Sequence, residues 1–229
     1  METNSTSPVR VILVNPQPVV RAGLRLFLEQ SPGFQVLAEA GDGDSALALI
    51  GSHLPDVVVL EINLPKTGGL DIVRQVRANR WPVGTLIFTS LDDDVFISAF
   101  LKSGANGYLL KIASPEEICS AVKDVSTGKT YIDRLILQKV IALAASPAPG
   151  IEQLTEREIE ILTLVARGLT NKVVAYKLNI SDRTVQGHIA RIFEKLHAAS
   201  RTDAVMRAIA SGIIQSPESN REEYYSFDI

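Results

Sequence analysis

The sequence predicts a two-part chain: an α/β domain on a five-stranded parallel sheet with helices on both faces, followed by an all-α module of four helices. Three observations predict it. Five short apolar runs alternate with amphipathic stretches between Val9 and Ser126. Buried runs interrupted in this way belong to parallel sheets covered on both sides. The segment Ser146-Pro147-Ala148-Pro149-Gly150 then breaks every period, as a linker does, and no strand-like run follows it.

Taken in order, Val9–Val14 is a fully apolar strand run apart from Arg10. Pro18–Gln30 has helical spacing at Val20, Leu24, Phe27 and Leu28. Phe34–Ala40 is strand-like and Asp44–Ser52 helical. Val57–Ile62 is apolar but for one acid, Glu61. Gly69–Arg80 is helical, Val83–Ser90 strand-like, Val95–Lys102 helical, Gly107–Leu110 strand-like and Glu116–Ser126 helical. Sheets of this kind bind ligands at the carboxyl ends of their strands. Leu135–Ala145 reads as a connecting helix. Beyond the linker, Thr155–Arg167, Thr170–Leu178, Ser181–His197 and Arg201–Ser211 read as helices. The domain bounds expected are 9–130, a connection over 131–150, the helical module over 151–212 and an acidic, loose tail over 213–229.

Composition supports a folded chain. Of 229 residues, 46% are apolar and 21% charged, enough for two cores and too few charges for a disordered tail protein. The net charge of −3 conceals a split: residues 1–150 carry −2, 151–212 carry +2 and 213–229 carry −3. One cysteine, Cys119, excludes an internal disulfide and a cysteine-based zinc site. His53, His188 and His197 lack metal spacing. No run of 18 apolar residues suggests a membrane span, and the polar start Met1–Ser7 reads as a frayed terminus rather than a signal peptide. These features fit a cytoplasmic protein.

In the helical module, Asn179-Ile180 makes a short turn, and Ser181 or Asp182 N-caps the following helix. There Val185, Ile189, Ile192 and Leu196 form the core stripe. The opposite face shows Arg183, Gln186, Gly187, Ala190, Arg191 and Glu194. This is helix-turn-helix patterning, which any three-helix bundle also shows. The residues themselves go further: Thr155-Glu156-Arg157-Glu158, Gly168, Asn171-Lys172, Ala175, Leu178, Thr184-Val185, His188, Lys195-Leu196 and Arg201-Thr202. Leu154–Val205 resembles the LuxR-type helix-turn-helix domain over the whole module.

The resemblance implies that the helix from Ser181 enters the major groove of double-stranded DNA. It places Gln186, Gly187 and Ala190 toward the bases, and Lys172, Thr184, His188 and Lys195 against sugar and phosphate. Arg183 and Arg191, on the same polar face, join that set. Phosphate contacts position and base contacts specify; Gln186 suits adenine N6 and N7. The family often carries lysine at Gln186 and glutamate at Val173. Tight specific binding needs two half-sites, hence a homodimer. The family dimerises through the helix Arg201–Ser211, where Ala204, Ala208 and Ile209 are either partner contacts or plain core.

Residues 9–130 resemble a receiver domain, of flavodoxin-like fold, of the type joined to LuxR modules in NarL/FixJ response regulators. The match runs through Val19–Glu29, Pro55–Pro65, Phe88–Ser90 and Ser103–Lys111. A receiver phosphorylates its own aspartate, using magnesium held by two further acids, with a hydroxyl and a lysine on the phosphoryl oxygens. Thr89, Lys111 and Tyr108 are kept. The acid pair is replaced by Asn15 and Pro16, and the acceptor by Glu61. Asn15 and one carboxylate are a poor cage for a cation that wants several hard oxygens, and glutamate is one methylene too long for in-line attack.

The expected consequence is a pocket of Asn15, Pro16, Glu61, Thr89 and Lys111 without efficient phosphorylation or cofactor. In it Glu61 pairs with Lys111 and reaches Thr89. Three roles stay open: a permanently switched, phosphate-mimicking receiver, an inert dimerisation domain, or a pocket adapted to a small ligand or partner protein.

Gly41-Asp42-Gly43-Asp44-Ser45-Ala46 fits a dinucleotide fingerprint, but Asp42 and Asp44 repel a pyrophosphate and suit helix capping instead. Cys119 reads as a small core residue, Asp92-Asp93-Asp94 as capping acids, and Glu222-Glu223-Tyr224-Tyr225 as part of the polar tail. The chain therefore reads as a DNA-binding transcription regulator of a two-component type, not an enzyme, acting as a dimer without aspartyl phosphorylation. The alternatives are a regulator phosphorylated on Glu61, or one that works by protein interaction without DNA.

Overall fold

The computed structural model describes residues 7–145 and 153–215, in two compact units that divide between Ala142 and Leu143. The expected linker 146–150, the start Met1–Thr6 and the tail from Ser216 lie outside the described residues.

In the first unit, β1 (Val9–Val14), β2 (Phe34–Ala40), β3 (Val57–Leu60), β4 (Gly84–Thr89) and β5 (Gly107–Leu110) alternate with α1 (Pro18–Gln30), α2 (Gly43–His53), α3 (Gly69–Ala78), α4 (Asp94–Ser103) and α5 (Pro115–Ser126). A sixth strand, β6 (Tyr131–Ile132), extends the five expected, giving the order β2-β1-β3-β4-β5-β6 with every pair parallel. At two residues it is too short to leave a period in the sequence. The helix α6 (Arg134–Ala145) follows it.

Alternation along the strands supplies both layers of core. Val11, Leu13, Val57, Val59, Leu86 and Phe88 pack with Leu24 and Leu28 of α1 and Ile118, Ala121, Val122 and Val125 of α5. Their neighbours Ile12, Val14, Val58, Leu60 and Ile87 are equally buried and point to the other face. Cys119 packs at the edge of the first layer, with its Sγ 3.3 Å from Ser31 Oγ.

The Gly41–Ala46 segment clasps the loop after β3. Asp42 N-caps α2 by accepting from the Ser45 amide at 3.0 Å, and Lys66 Nζ lies 3.1 Å from Asp42 Oδ1. Thr67 Oγ1 donates to Asp44 Oδ1 at 2.8 Å, and the Gly43 amide donates to Pro65 O at 3.1 Å. A Cβ on Gly43 would stand 1.8 Å from Thr67 O. Asp93 is the residue that precedes α4, while Asp92 pairs with Lys139 of α6 at 2.8 Å.

The second unit comprises α7 (Glu156–Ala166), α8 (Asn171–Leu178), α9 (Asp182–Leu196) and α10 (Arg201–Ala210). Its core joins Ile161, Leu162, Val165, Val174, Val185, Ile192, Leu196, Ala204 and Ala208. Ala204 and Ala208 are fully buried there, so core packing is the role they fill; Ile209 packs at its edge. Ile214 is buried in the same core, which carries the module past the expected end at residue 212. No helix among the described residues is long and apolar enough to cross a membrane.

Gly43→Ala should destabilise the first unit by about 1–3 kcal/mol, because backbone rather than a flexible side chain must move. A shift of the denaturation midpoint checks it, and an unchanged midpoint refutes the clasp.

Candidate functional site

Parallel strands end along one edge, where the residues that follow β1, β3 and β5 meet the last residue of β4. Glu61 is 6% exposed and both its oxygens are engaged. Oε1 accepts from Thr89 Oγ1 at 2.5 Å and from the Ile62 amide at 2.8 Å. Oε2 lies 2.7 Å from Lys111 Nζ. Lys111 also donates to Gln17 Oε1 at 3.5 Å. Asn15, buried, accepts the Gln17 amide on Oδ1 at 2.9 Å, and its carbonyl takes Arg21 Nη1 at 2.6 Å. Pro16 stands half-buried between Asn15 and Gln17. Arg21 and Arg25 both pair with Glu39, whose carboxyl is held low first by the Arg25 hydrogen bond.

The pocket is linked to the next buried group. Thr89 Oγ1 accepts the Leu91 amide at 3.3 Å, and Tyr108 donates its hydroxyl to Leu91 O at 2.6 Å. Tyr108 is fully buried, edge-on to Phe100 with ring centroids 5.1 Å apart. Burial raises its phenol pKa, and the charge of Glu61 adds to that.

The second constellation sits on α8 and α9. Asn179 closes α8 in the left-handed region at φ 52°, a conformation asparagine tolerates. Ser181 is the N-cap of α9, accepting the Thr184 amide at 3.0 Å, with the two hydroxyls 2.8 Å apart. Lys172, Arg183, Thr184, Gln186, Gly187, Ala190 and Arg191 are exposed, and His188 is half-buried. Gln186 Nε2 donates to Asp182 Oδ2 at 3.0 Å. A Cβ on Gly187 would meet nothing within 4 Å, so packing does not demand glycine there. Nothing in the structure explains Val173, which is 40% exposed.

Lys195 differs from the other predicted contacts. Its side chain is 17% exposed, and its Nζ is 2.9 Å from Glu158 Oε2. Glu158 is buried and completes a capping box with Thr155 at the start of α7. Thr155 and Glu158 stand at the spacing a capping box needs; the lysine that joins them comes from 37 residues away, a distance no local pattern reports.

Comparison with known proteins places these two constellations. Residues 152–208 match the family model "Bacterial regulatory proteins, luxR family", and residues 11–123 match "Response regulator receiver domain". YxjL of Bacillus subtilis strain 168, an uncharacterized transcriptional regulatory protein, is 33% identical over 90% of this chain and 98% of its own. The nitrate/nitrite response regulator NarP of Escherichia coli K12 is 36% identical over 87% of this chain and 94% of its own. The chain is a response regulator of the luxR family. The crystal structure of ChrA, a response regulator of a heme-sensing two-component system, superposes on the regulator with a TM-score of 0.53 at 34% identity, covering 91% of this chain and 100% of that one.

Burial pushes the Glu158 carboxyl up, but the Lys195 and Thr155 hydrogen bonds outweigh it, and the net shift is below the ordinary 4.5. A depressed folded-state pKa adds stability above the unfolded value, lost as pH falls through the folded one. The C-terminal unit should therefore lose stability below about pH 4.5. Glu158→Gln should flatten that part of an acid titration of its unfolding midpoint; an unchanged acid limb refutes the assignment.

Proposed function

We propose that this luxR-family regulator binds DNA as a homodimer without phosphorylation of its receiver, whose Glu61 carboxylate stands in for a phosphorylated side chain. The observation that carries the reading is that one carboxylate occupies both the Thr89 hydroxyl and the Lys111 ammonium. Those are the groups that would otherwise take phosphoryl oxygens. Among the described residues, both groups are thus already engaged by Glu61.

The residues present also suit magnesium poorly. The ion needs several hard oxygens in octahedral array. At the acid-pair positions stand a proline and Asn15, whose Oδ1 already accepts an amide, while Glu61 is committed to Lys111. The chain Glu61–Thr89–Leu91–Tyr108 favours a switched pocket over an inert one, because it couples the carboxylate to a buried aromatic 47 residues further along the chain. Control then falls to abundance, a partner protein or a small ligand. The regulator acts in transcription, in the cytoplasm, and as a binder rather than an enzyme.

On DNA, the exposed Lys172, Arg183 and Arg191 supply phosphate contacts, with Thr184 and His188. Gln186, Gly187 and Ala190 face the bases. His188 Nδ1 is buried and unpartnered, the kind of exception that calls for an explanation. Paired modules on two half-sites supply the contact area one module lacks.

Three experiments test this. Incubation of the full chain with a small phosphoryl donor and magnesium should leave its mass unchanged, and one added phosphoryl group on Glu61 overturns the reading. Capture of genomic fragments by the unmodified protein at fixed, near-physiological salt should recover one repeated motif. Glu61→Gln, which keeps the shape and removes the charge, should weaken that binding or the dimer. No change in either leaves the receiver as an inert platform.

A further inference from the structure

Resemblance puts Lys195 among the sugar-phosphate anchors, yet its ammonium is already engaged. From the last turn of α9, Nζ donates to Glu158 Oε2 at 2.9 Å and to Gln153 O at 3.3 Å. The Glu158 side chain is 4% exposed. Its Oε2 also accepts the Thr155 amide at 2.8 Å, so one oxygen serves the N-cap of α7 and the end of α9 together. Arg157, the neighbouring cation, is turned toward Glu160 and Leu178 O. Moving Lys195 onto a phosphate would strand a buried carboxylate, the arrangement that makes breaking a buried pair costly. Lys172, Arg183 and Arg191, by contrast, are exposed.

The rest of the seat of α9 is apolar: Val185, Ile192 and Leu196. Apolar burial is non-directional, so it fixes the tilt of a helix less sharply than a directional contact does. A hydrogen-bonded ion pair is directional. Lys195 lies nine residues, about 14 Å of helix, from Gln186. A small tilt at one end becomes a displacement at the base-facing residues.

Resting on the reading that α9 meets DNA, we infer that Lys195 is a positioning residue: its ion pair with Glu158 seats the recognition helix on the N-cap of α7 and makes no phosphate contact. Lys195 then influences affinity through Glu158, not through charge neutralisation.

The test is DNA affinity as a function of salt, with the full-length protein, a duplex recovered by the wild type, and a temperature well below unfolding. Glu158→Gln keeps the capping box, which accepts glutamine, and removes the pair. Lys195→Ala should weaken binding roughly tenfold with the wild-type salt slope. Glu158→Gln should do the same, the double variant should be no worse than the poorer single one, and Lys195→Arg should recover affinity. Lys172→Ala, the phosphate-contact control, should lose about 0.9 from the slope.

A slope loss of about 0.9 in Lys195→Ala, with Glu158→Gln unaffected, overturns the proposal in favour of a phosphate anchor. Wild-type affinity in folded Lys195→Ala overturns it in favour of a purely structural pair. A wild-type protein whose binding has no salt dependence, and which Lys172→Ala does not alter, removes the DNA reading itself and this proposal with it.

Discussion

The Glu61 carboxylate needs a counter-charge at the place where the sheet delivers it, and Lys111 supplies one across an intervening strand. Glu61 follows β3 and Lys111 follows β5, so their contact spans the end of β4 and takes in Thr89 there. Such a pair adds little net stability, since desolvation offsets attraction. Losing Lys111, however, costs about 3–5 kcal/mol by leaving the buried Glu61 charge uncompensated. The edge is thereby held in one arrangement. Thr89 is drawn toward Glu61, Leu91 follows through its amide, and the Tyr108 hydroxyl closes the series on Leu91 O.

That arrangement also depends on the loop just beyond Glu61. Asp42, Asp44 and the bare backbone of Gly43 fasten it to α2. A segment that resembles a nucleotide-binding turn thus serves as a fastening for the pocket's rim. Gly69 approaches from the other side, where a Cβ would stand 2.3 Å from Glu61 O. Two glycines at close backbone approaches keep Glu61 where Lys111 and Thr89 can reach it.

The second unit repeats the physics at a different address. Glu158 is a buried carboxylate at a helix N-terminus, where the capping amide and the helix dipole favour its charge. Lys195 completes the neutralisation from another helix. In both units a glutamate–lysine pair joins elements far apart in sequence, with its polar atoms paired on each side as buried charges require.

Much of this architecture follows from the sequence alone. The alternation of apolar runs and helical spacing determined the order of the strands and helices, because burial on both faces requires it. The helix start at Ser181 was legible from capping chemistry, and the departures at Asn15, Pro16 and Glu61 stood out against the family pattern. The two-residue β6 was not legible, being shorter than any period. Nor could spacing choose between core and partner contact for Ala204 and Ala208, since both roles want a small apolar residue. Only tertiary structure decided that Lys195 belongs to Glu158 and that Asp44 belongs to Thr67. Periodicity reports which face a residue occupies. It is the packing of separate helices and loops that decides which distant group meets it there.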